Sequence, residues 1–580
     1  MIFNFKYYRI LVSLLLASCI CVSAQEPAKE QGGASPKPAL KPDPVMSPFG
    51  IGSSAVRSRD HSKWMPQMVE IGLRDLRSCT GGWGAEPEKH GEWTWTSMDD
   101  KLTYLESIGV TSGMMFNGLA KWDTKSVKGG LPMNSLPEWS EMVGKVVEHT
   151  KGRVKYFECW NEPPNGTKNA PASDYAKVVI ATYDAAKAAN PDALVGMAAK
   201  SAHISYLDQA IKAGAKGHFD YITLHPYEIL GTIVKHPGTE PMYMSIVPTV
   251  RKMLAAQDPT KVNIPIILTE IGFDTKHGND NQTRAVIMAY AMGIAQGIAC
   301  IQWFEGMDGD SGPLGLLDKS AKPRPAYHAL GQLVQQLGRH PAYIGWILLN
   351  EKHYGFIFQG VKGTVLVTWA GTSKPEEIDF GQNVQIIDPP TGKSTEAAKY
   401  NLSMAPVIVT GIPEKLVAQE KENKGKPFPW GGDYSDAKSV SVTFADKYVE
   451  KGLHTMAADT IAADVAAYGG NARAGEVPKG GNVFYVDPNF LSYSTVPIEI
   501  TAVVKRNEKN DPAKLTLEYE STTGNGYKKP EPFDIPDNQQ WHNATWKIDD
   551  AQFVGTWAFN FRFNSGKFLV QSVTVTKLDK

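Results

Sequence analysis

The stretch "VKYFECWNEPPNG", residues 154–166, joins a run of strand formers to a polar turn that contains Asn161 and Glu162. Similar short apolar runs recur along the chain, and longer amphipathic stretches such as "PEWSEMVGKVVEHTK" separate them. This alternation is typical of βα units around a parallel sheet. We count eight candidate strands, at residues 49–53, 72–78, 111–117, 154–160, 193–199, 221–227, 264–270 and 299–305. They predict an α/β fold, with a (β/α)8 TIM barrel over residues 47–338 rather than an open doubly wound sheet.

After residue 338 the pattern changes to short strands broken by Gly, Asn and Lys, as in "GWILLNEKHYGFIFQGVKGTVLVTWAG". Such a pattern indicates antiparallel hairpins, so we expect a small β-sandwich over residues 339–420 that packs on the barrel. Residues 421–438 are polar and rich in Gly and Pro, and we interpret them as a linker. Alternating polarity from residue 439 to 580 predicts a separate C-terminal β-sandwich domain.

The first 24 residues have the pattern of an export signal, with Lys6 and Arg9 before an apolar run and a small-residue cleavage pattern that ends at Ala24. A second interpretation stays open, because Leu16-Ala17-Ser18-Cys19 resembles a bacterial lipobox in which Cys19 would be lipidated. The protein is therefore expected to be secreted or periplasmic, or alternatively an outer-surface lipoprotein. Neither interpretation predicts a membrane-spanning segment. Residues 25–46 are rich in Pro, Lys, Ala and Gly without an apolar period, which predicts a disordered tether.

Charge and cysteine content exclude some classes of partner and of scaffold. The chain has 580 residues and a formal net charge of −1. It has no basic stripe of the kind that binds nucleic acid. Cleavage at Ala24 would leave Cys79, Cys159 and Cys300, an odd and sparse set that predicts no disulfide framework. We expect these cysteines to be small core residues.

Two glutamates follow strand ends where chemistry is expected. Glu162 comes just after the fourth candidate strand, and Glu270 ends the seventh, in "IPIILTEIGF". Reactive groups of a (β/α)8 enzyme project from the carboxyl ends of its strands. A general acid and a nucleophile held across one bond are the machinery of retaining glycoside hydrolysis, which needs no metal and no other cofactor. The plainer interpretation is an exposed loop carboxylate and a structural ion pair.

The segments "WNEP" and "TEIG" resemble the signature of the glycoside hydrolase clan A superfamily, over about residues 47–420, in a family 39-like or family 5-like form. The resemblance implies that Glu162 is the acid/base and Glu270 the nucleophile of a retaining enzyme. Asn161 resembles the asparagine that hydrogen-bonds the sugar 2-hydroxyl group.

Residues at other strand ends also resemble those of clan A enzymes. Arg77 resembles the second-strand arginine beneath the nucleophile, where a fixed cation keeps that carboxylate ionised. In "TLHPYE", His225 and Tyr227 resemble the sixth-strand pair that lines the sugar site and bonds the nucleophile. Trp303 resembles the eighth-strand tryptophan that forms a floor for a sugar ring.

Further residues lie where a substrate could be contacted but match no motif. Asn117 is kept among the substrate-binding candidates, and these others share its kind of position: Lys121, Trp122, Lys200 and His203. In the C-terminal domain, three tryptophans are either sugar contacts or core residues: Trp541, Trp546 and Trp557.

Together these patterns predict a retaining β-glycosidase that cleaves a β-linked oligo- or polysaccharide by double displacement. One alternative is a transglycosylase with the same catalytic pair, and another is a non-catalytic glycan-binding surface protein. The sequence does not indicate the sugar, endo or exo action, or the oligomeric state.

Overall fold

The computed structural model describes residues 45–78, 82–445, 447–455, 473–474, 482–506, 513–522, 526–538 and 540–579. The predicted export signal with its lipobox, the tether up to residue 44 and Cys79 lie outside these ranges. Among the helices of the described residues, none has the length and apolar character needed to cross a membrane.

The eight predicted parallel strands are confirmed, and they close into one barrel in chain order, with the eighth strand pairing with the first. Four of the eight are buried along their whole length, which explains why they read as continuous apolar runs rather than as alternating ones. The strands are β1 Phe49–Gly52, β2 Asp75–Ser78, β3 Thr111–Phe116, β4 Tyr156–Cys159, β5 Leu194–Lys200, β6 Tyr221–His225, β7 Ile266–Ile271 and β8 Cys300–Trp303.

Helices follow the strands and cover the barrel. In α3 the buried residues recur at helical spacing, with Trp139, Met142, Val143, Val146 and Val147 on one face. The helices are α1 Met65–Glu70, α2 Thr96–Ser107, α3 Leu136–His149, α4 Ala172–Ala189, α5 Ile204–Ala210, α6 Tyr227–Lys235, α7 Pro241–Met244, α8 Ile246–Gln257, α9 Asn279–Gln296 and α10 Pro325–Leu337. A π-helical turn, Ile211–Ala215, directly follows α5.

The domain after the barrel is antiparallel as predicted, but instead of two sheets of a small β-sandwich it has one six-stranded sheet, in the order β13-β12-β14-β11-β10-β9. One face places Phe356 and Trp369 in the same apolar cluster as the barrel helices. The other face packs Ile357 and Leu366 with Val417 of a closing helix. The elements are β9 Ala342–Leu349, β10 His353–Gly360, β11 Gly363–Trp369, β12 Glu376–Ile387, β13 Ser394–Leu402, β14 Val407–Thr410 and α11 Glu414–Asn423.

The segment predicted as a linker, residues 421–438, makes packing contacts. Its first residues belong to α11, and the Phe428 ring stacks on Phe356 with centroids 5.7 Å apart. Further on, Trp430 stacks on His454 of the next domain at 3.6 Å. The connection is therefore held against both of its neighbours.

The C-terminal domain has two large antiparallel sheets that share one apolar core, as expected for a sandwich, and a small third sheet in which β21 pairs with β24. The first sheet has the order β16-β15-β27-β20-β25, with β18 also pairing with β27, and the second has the order β17-β19-β26-β22-β23. The strands are β15 Ser439–Thr443, β16 Val449–Lys451, β17 Leu453–Thr455, β18 Arg473–Ala474, β19 Val483–Val486, β20 Ile498–Arg506, β21 Lys514–Leu515, β22 Leu517–Glu520, β23 Tyr527–Lys528, β24 Phe533–Asp534, β25 His542–Ile548, β26 Phe561–Phe563 and β27 Phe568–Lys577.

This domain docks on barrel helices α5 and α8. The Tyr493 hydroxyl donates to the buried Asp208 carboxylate at 2.5 Å and accepts from the Gln257 amide at 2.9 Å. Nearby, the hydroxyls of Thr249 and Ser492 lie 2.8 Å apart. Buried hydrogen bonds of this kind fix the domain in one position on the barrel.

Candidate active site

The turn after β4 directs Glu162 over the barrel mouth. Trp160 and Glu162 both adopt left-handed backbone conformations, with φ of 69° and 52°. Such conformations cost a non-glycine residue about 1–3 kcal/mol each and persist only where the surroundings fix them. The backbone N–H of Lys200, at the end of β5, donates to the Pro163 carbonyl at 3.1 Å and holds this turn from the side.

Glu270 reaches the mouth because β7 is irregular. Successive side chains of a regular strand point to opposite faces. Here Thr269 points into the barrel, yet the next residue, Glu270, also lies in the site. The pairing register of β7 with β8 shifts between Leu268 and Ile271, and this irregularity turns the Glu270 carboxylate toward the mouth.

Arg77, at the carboxyl end of β2, is the cation that lies beneath Asn161 and Glu270. Its Nε donates to Glu158 Oε2 at 2.6 Å, and its Nη1 donates to Glu270 Oε1. Its Nη2 donates to Asn161 Oδ1 at 2.9 Å and contacts Met115 Sδ at 3.0 Å. The guanidinium is only 4% exposed, so a desolvated positive charge is shared by two carboxylates.

Glu158 is a buried carboxylate that holds Arg77 in position. No sequence motif identified it as a site residue. It lies within β4, is 2% exposed, and accepts from the hydroxyls of Thr223 at 2.6 Å and Thr269 at 2.7 Å. Burial raises the pKa of Glu158, but the charges of Arg77 and His225 together with the two hydroxyls outweigh burial, so the net shift is downward. Glu158 is therefore a permanent carboxylate.

This network assigns the protons of His225. Because the Thr269 hydroxyl donates to Glu158, its oxygen is left to accept from His225 Nε2, 2.9 Å away. His225 Nε2 therefore carries a proton. His225 Nδ1 lies 3.0 Å from Glu162 Oε1, a contact that needs one proton between the two atoms.

The neighbours of Glu162 favour its charged form. Burial raises the pKa of Glu162, but the hydrogen bond and charge of His225, the Asn165 amide and the charge of Lys200 outweigh it and bring the pKa of Glu162 down to about 2. Glu162 and His225 therefore form one hydrogen-bonded pair that shares the bridging proton.

The second carboxylate has a different set of partners. The Tyr227 hydroxyl donates to Glu270 Oε2 at 3.0 Å, and His225 Nδ1 lies 3.7 Å from the same oxygen. Burial, followed by the charge of Glu270, raises the pKa of Tyr227 well above its usual value, so the phenol stays a neutral donor. Glu270 thus lies among fixed donors, whereas Glu162 faces a group that can give up a proton.

Glu162, His225 and Glu270 each offer one ligand-type atom, and these atoms all lie within 4.8 Å of one another. Among the described residues this is the one cluster with the composition of a metal site. Arg77 and Tyr227 already donate to both oxygens of Glu270, and the guanidinium charge would repel a cation at that position. The residues present therefore suit a carboxylate pair better than a metal ion.

Asn161 and Asn117 lie beside this pair. The Asn161 backbone N–H donates to Asn117 Oδ1 at 3.3 Å. Since Asn161 Oδ1 accepts from Arg77, the amide group of Asn161 is oriented with its NH₂ as the donor for another molecule.

Trp303 does not provide the expected stacking surface for a sugar ring. Its side chain is completely buried in the apolar core, and its indole N–H donates to the Leu314 carbonyl at 3.3 Å. With no face exposed, Trp303 offers a sugar ring no surface for stacking, so the structure corrects that expectation. Trp546 is likewise a core residue of the C-terminal sandwich. Cys159 and Cys300 are buried free thiols, as predicted.

No protein-family model matches the chain, and no curated protein matches its sequence. Among solved structures, the chain is similar to a family 39 glycoside hydrolase from the gut symbiont Bacteroides cellulosilyticus WH2, with 18% identity and a TM-score of 0.54 over 63% of this chain and 81% of that chain. It also matches GH5_18 from Streptomyces cattleya at 14% identity and a TM-score of 0.41, over 51% of this chain and 80% of that chain. A GH51 α-L-arabinofuranosidase from Thermotoga petrophila RKU-1 matches at 11% identity and a TM-score of 0.44, over 64% of this chain and 97% of that chain. At such identities the family 39 match shows a shared fold.

Proposed function

We propose that this protein is a retaining β-glycosidase that acts on a β-linked oligo- or polysaccharide. One observation carries the proposal: an oxygen of Glu162 and an oxygen of Glu270 lie within 4.8 Å of each other across the barrel mouth. Retaining enzymes hold their two carboxyl groups about 5–5.5 Å apart, whereas inverting enzymes leave about 6.5–9.5 Å for a water molecule. The resemblance of "WNEP" and "TEIG" to clan A enzymes supports the same assignment.

Glu270 is the nucleophile in this mechanism. Arg77 donates a hydrogen bond to one of its carboxylate oxygens, and the Tyr227 hydroxyl fixes the direction of the other oxygen. One oxygen attacks the anomeric carbon, the bond to the leaving oxygen breaks, and a glycosyl-enzyme forms.

Glu162 is the acid/base, and its hydrogen bond to His225 holds the proton that it delivers. When the leaving oxygen of a substrate binds beside Glu162, the proton shared by Glu162 and His225 moves through Glu162 to that oxygen. In the second step Glu162 removes a proton from water, which attacks the glycosyl-enzyme and releases the sugar. Asn161 donates its NH₂ to a sugar hydroxyl, a contact that strengthens in the transition state.

Export is part of the proposal. A polysaccharide substrate is met outside the cytoplasm, and residues 1–24 have the pattern of an export signal. The lipobox interpretation would place the same enzyme on the outer surface.

The experiment replaces each glutamate in turn, because the two substitutions should affect catalysis differently. Glu270→Ala removes the nucleophile, so turnover should fall by about 10³-fold or more on every substrate, and azide should restore a product of inverted configuration. Glu162→Ala removes proton donation, so cleavage of a natural glycan should fall by about 10²–10⁴-fold while an activated aryl glycoside still forms the glycosyl-enzyme. Azide should then give a retained product.

Glu88→Ala is the matched control, because Glu88 is an exposed glutamate whose partner is Lys121. It should keep activity within about twofold. If Glu162→Ala cleaved the natural glycan within about threefold of the wild type, the acid/base assignment would be wrong.

A further inference from the structure

The C-terminal sandwich reaches the mouth of the barrel through the loop 554–560. The Ser201 hydroxyl, directly after β5, donates to the Thr556 carbonyl of this loop at 2.5 Å. The Ser201 carbonyl in turn accepts from the backbone N–H of His225 at 3.2 Å. This loop belongs to a domain more than 300 positions away in the sequence. Through Ser201 it is nevertheless linked to His225, whose imidazole bonds Glu162.

The next residue of this loop, Trp557, remains partly exposed although its neighbours are buried. The Lys200 ammonium lies over its ring, 5.4 Å from the centroid, and the buried His203 ring is tilted against it with centroids 6.3 Å apart. Lys200 is the residue whose backbone holds the turn of Glu162 and whose charge acts on the Glu162 carboxylate. Trp557 thus forms part of the wall beside the acid/base.

A buried carboxylate fixes the loop. Glu520, 1% exposed, accepts from the backbone N–H groups of Val554 at 2.8 Å, Gly555 at 2.9 Å and Thr556 at 2.7 Å. The Asn560 amide adds a fourth donor at 2.8 Å. Four donors on one carboxylate hold the loop in one conformation, so Trp557 is presented as a rigid platform rather than as a mobile side chain.

We infer that Trp557 is a substrate-positioning residue that binds the sugar on the leaving-group side of the scissile bond. The inference rests on the proposed function, and it follows from position. The leaving oxygen is the one that Glu162 protonates, so the sugar attached to that oxygen lies beside Glu162 and against the wall formed by Lys200 and Trp557. The apolar C–H face of a sugar ring packs on an aromatic plane, and the Lys200 ammonium donates to its hydroxyls.

The test compares two substrates with the same glycosyl group. β-Glycosyl fluorides of glucose, mannose and xylose have a leaving group without a ring, whereas β-1,4-linked gluco-, manno- and xylo-oligosaccharides place a sugar against Trp557. Trp557→Ala should lower kcat/KM on the cleaved oligosaccharide by about 3- to 10-fold. On the matching fluoride the change should stay below about twofold, since nothing there contacts the ring.

Two further variants keep the test decisive. Trp557→Leu fills the same apolar space without a planar face and should show the same selective loss, whereas Trp557→Phe should restore oligosaccharide cleavage to within about threefold. The matched control is Tyr183→Ala, because the partly exposed Tyr183 of α4 also has a lysine ammonium near its ring, that of Lys187 at 5.3 Å. This variant should leave kcat/KM on both substrates unchanged.

Three outcomes would overturn the inference. Equal losses on both substrates would show that Trp557 acts by holding the Glu162 turn, and an unchanged oligosaccharide rate would show no contact. The same selective loss in Tyr493→Phe, a docking contact elsewhere on the interface, would show that domain position and not the ring is responsible. A wild-type protein that cleaves no member of the panel would instead refute the proposed function, and the inference would fall with it.

Discussion

Replacing Arg77 with methionine should destabilise the protein more than any surface ion-pair deletion. The side chain joins Glu158, Glu270 and Asn161, and it is only 4% exposed. Methionine keeps much of the apolar stem but removes the charge and its donors. Glu158 then keeps its two hydroxyl partners and loses the guanidinium that balances its charge.

The expected loss of stability follows from the burial of Arg77 and its partner Glu158. Removing one partner of a buried ion pair costs about 3–5 kcal/mol, because an uncompensated charge remains. Glu270 is 13% exposed and regains some water, so we assign most of this cost to Glu158. Without Arg77, burial should raise the pKa of Glu158 above its unfolded value. The variant should therefore bind a proton on folding and become less stable as the pH rises through that range.

The assay is a double-mutant cycle of urea unfolding at pH 7 with Arg77→Met, Glu158→Gln and the double variant. The second change removes the orphaned charge, so the cycle should give a coupling free energy of about 2–3 kcal/mol. Arg153→Met is the control, because Arg153 also pairs with two carboxylates, those of Asp99 and Glu106, but is 25% exposed. It should cost about 1 kcal/mol or less. A coupling below about 0.5 kcal/mol would refute the reasoning.

Two further predictions concern buried groups outside the site. Glu240 is fully buried against the Trp369 indole N–H, and burial raises its pKa to about 7. Because the folded pKa exceeds the unfolded one, Glu240 stabilises the fold less as the pH rises, by about 2–3 kcal/mol from pH 5 to pH 8. Glu240→Gln should remove this dependence in urea titrations, and an unchanged slope would contradict it. Tyr493→Phe leaves the buried Asp208 without its phenol donor and should lower the unfolding free energy by about 1–3 kcal/mol, measured the same way. A loss below about 0.3 kcal/mol would show that the docking contact contributes little.

The sequence predicted the barrel well because buried parallel strands leave an unmistakable pattern of apolar runs between amphipathic helices. It also placed Glu162 and Glu270 near each other, since the carboxyl ends of parallel strands converge at one rim. The role of Glu158 was also predictable from the sequence. A glutamate in the middle of a buried strand needs a partner, and Arg77 was already expected nearby.

Other features could not be predicted from local pattern. The irregularity of β7 depends on how two strands register, which no single segment encodes. The resemblance suggested an exposed Trp303, but local packing buries it. The position of Trp557 depends on where one folded domain docks on another. No local sequence pattern predicts a contact between residues so far apart in the chain.

If the proposed function holds, the charges around Arg77 have a consequence for inhibitors. One guanidinium faces the carboxylates of both Glu158 and Glu270, while the charge of Lys200 acts on Glu162. Around Arg77 the carboxylates therefore exceed the guanidinium by one negative charge, and a cation interacts with this excess more strongly in a partly desolvated setting than in water. A sugar-shaped ring with a protonated amine at the position of the anomeric carbon would place its charge beside that excess. Basic nitrogen heterocycles, rather than neutral lactones, are the ligands that this mouth should retain longest.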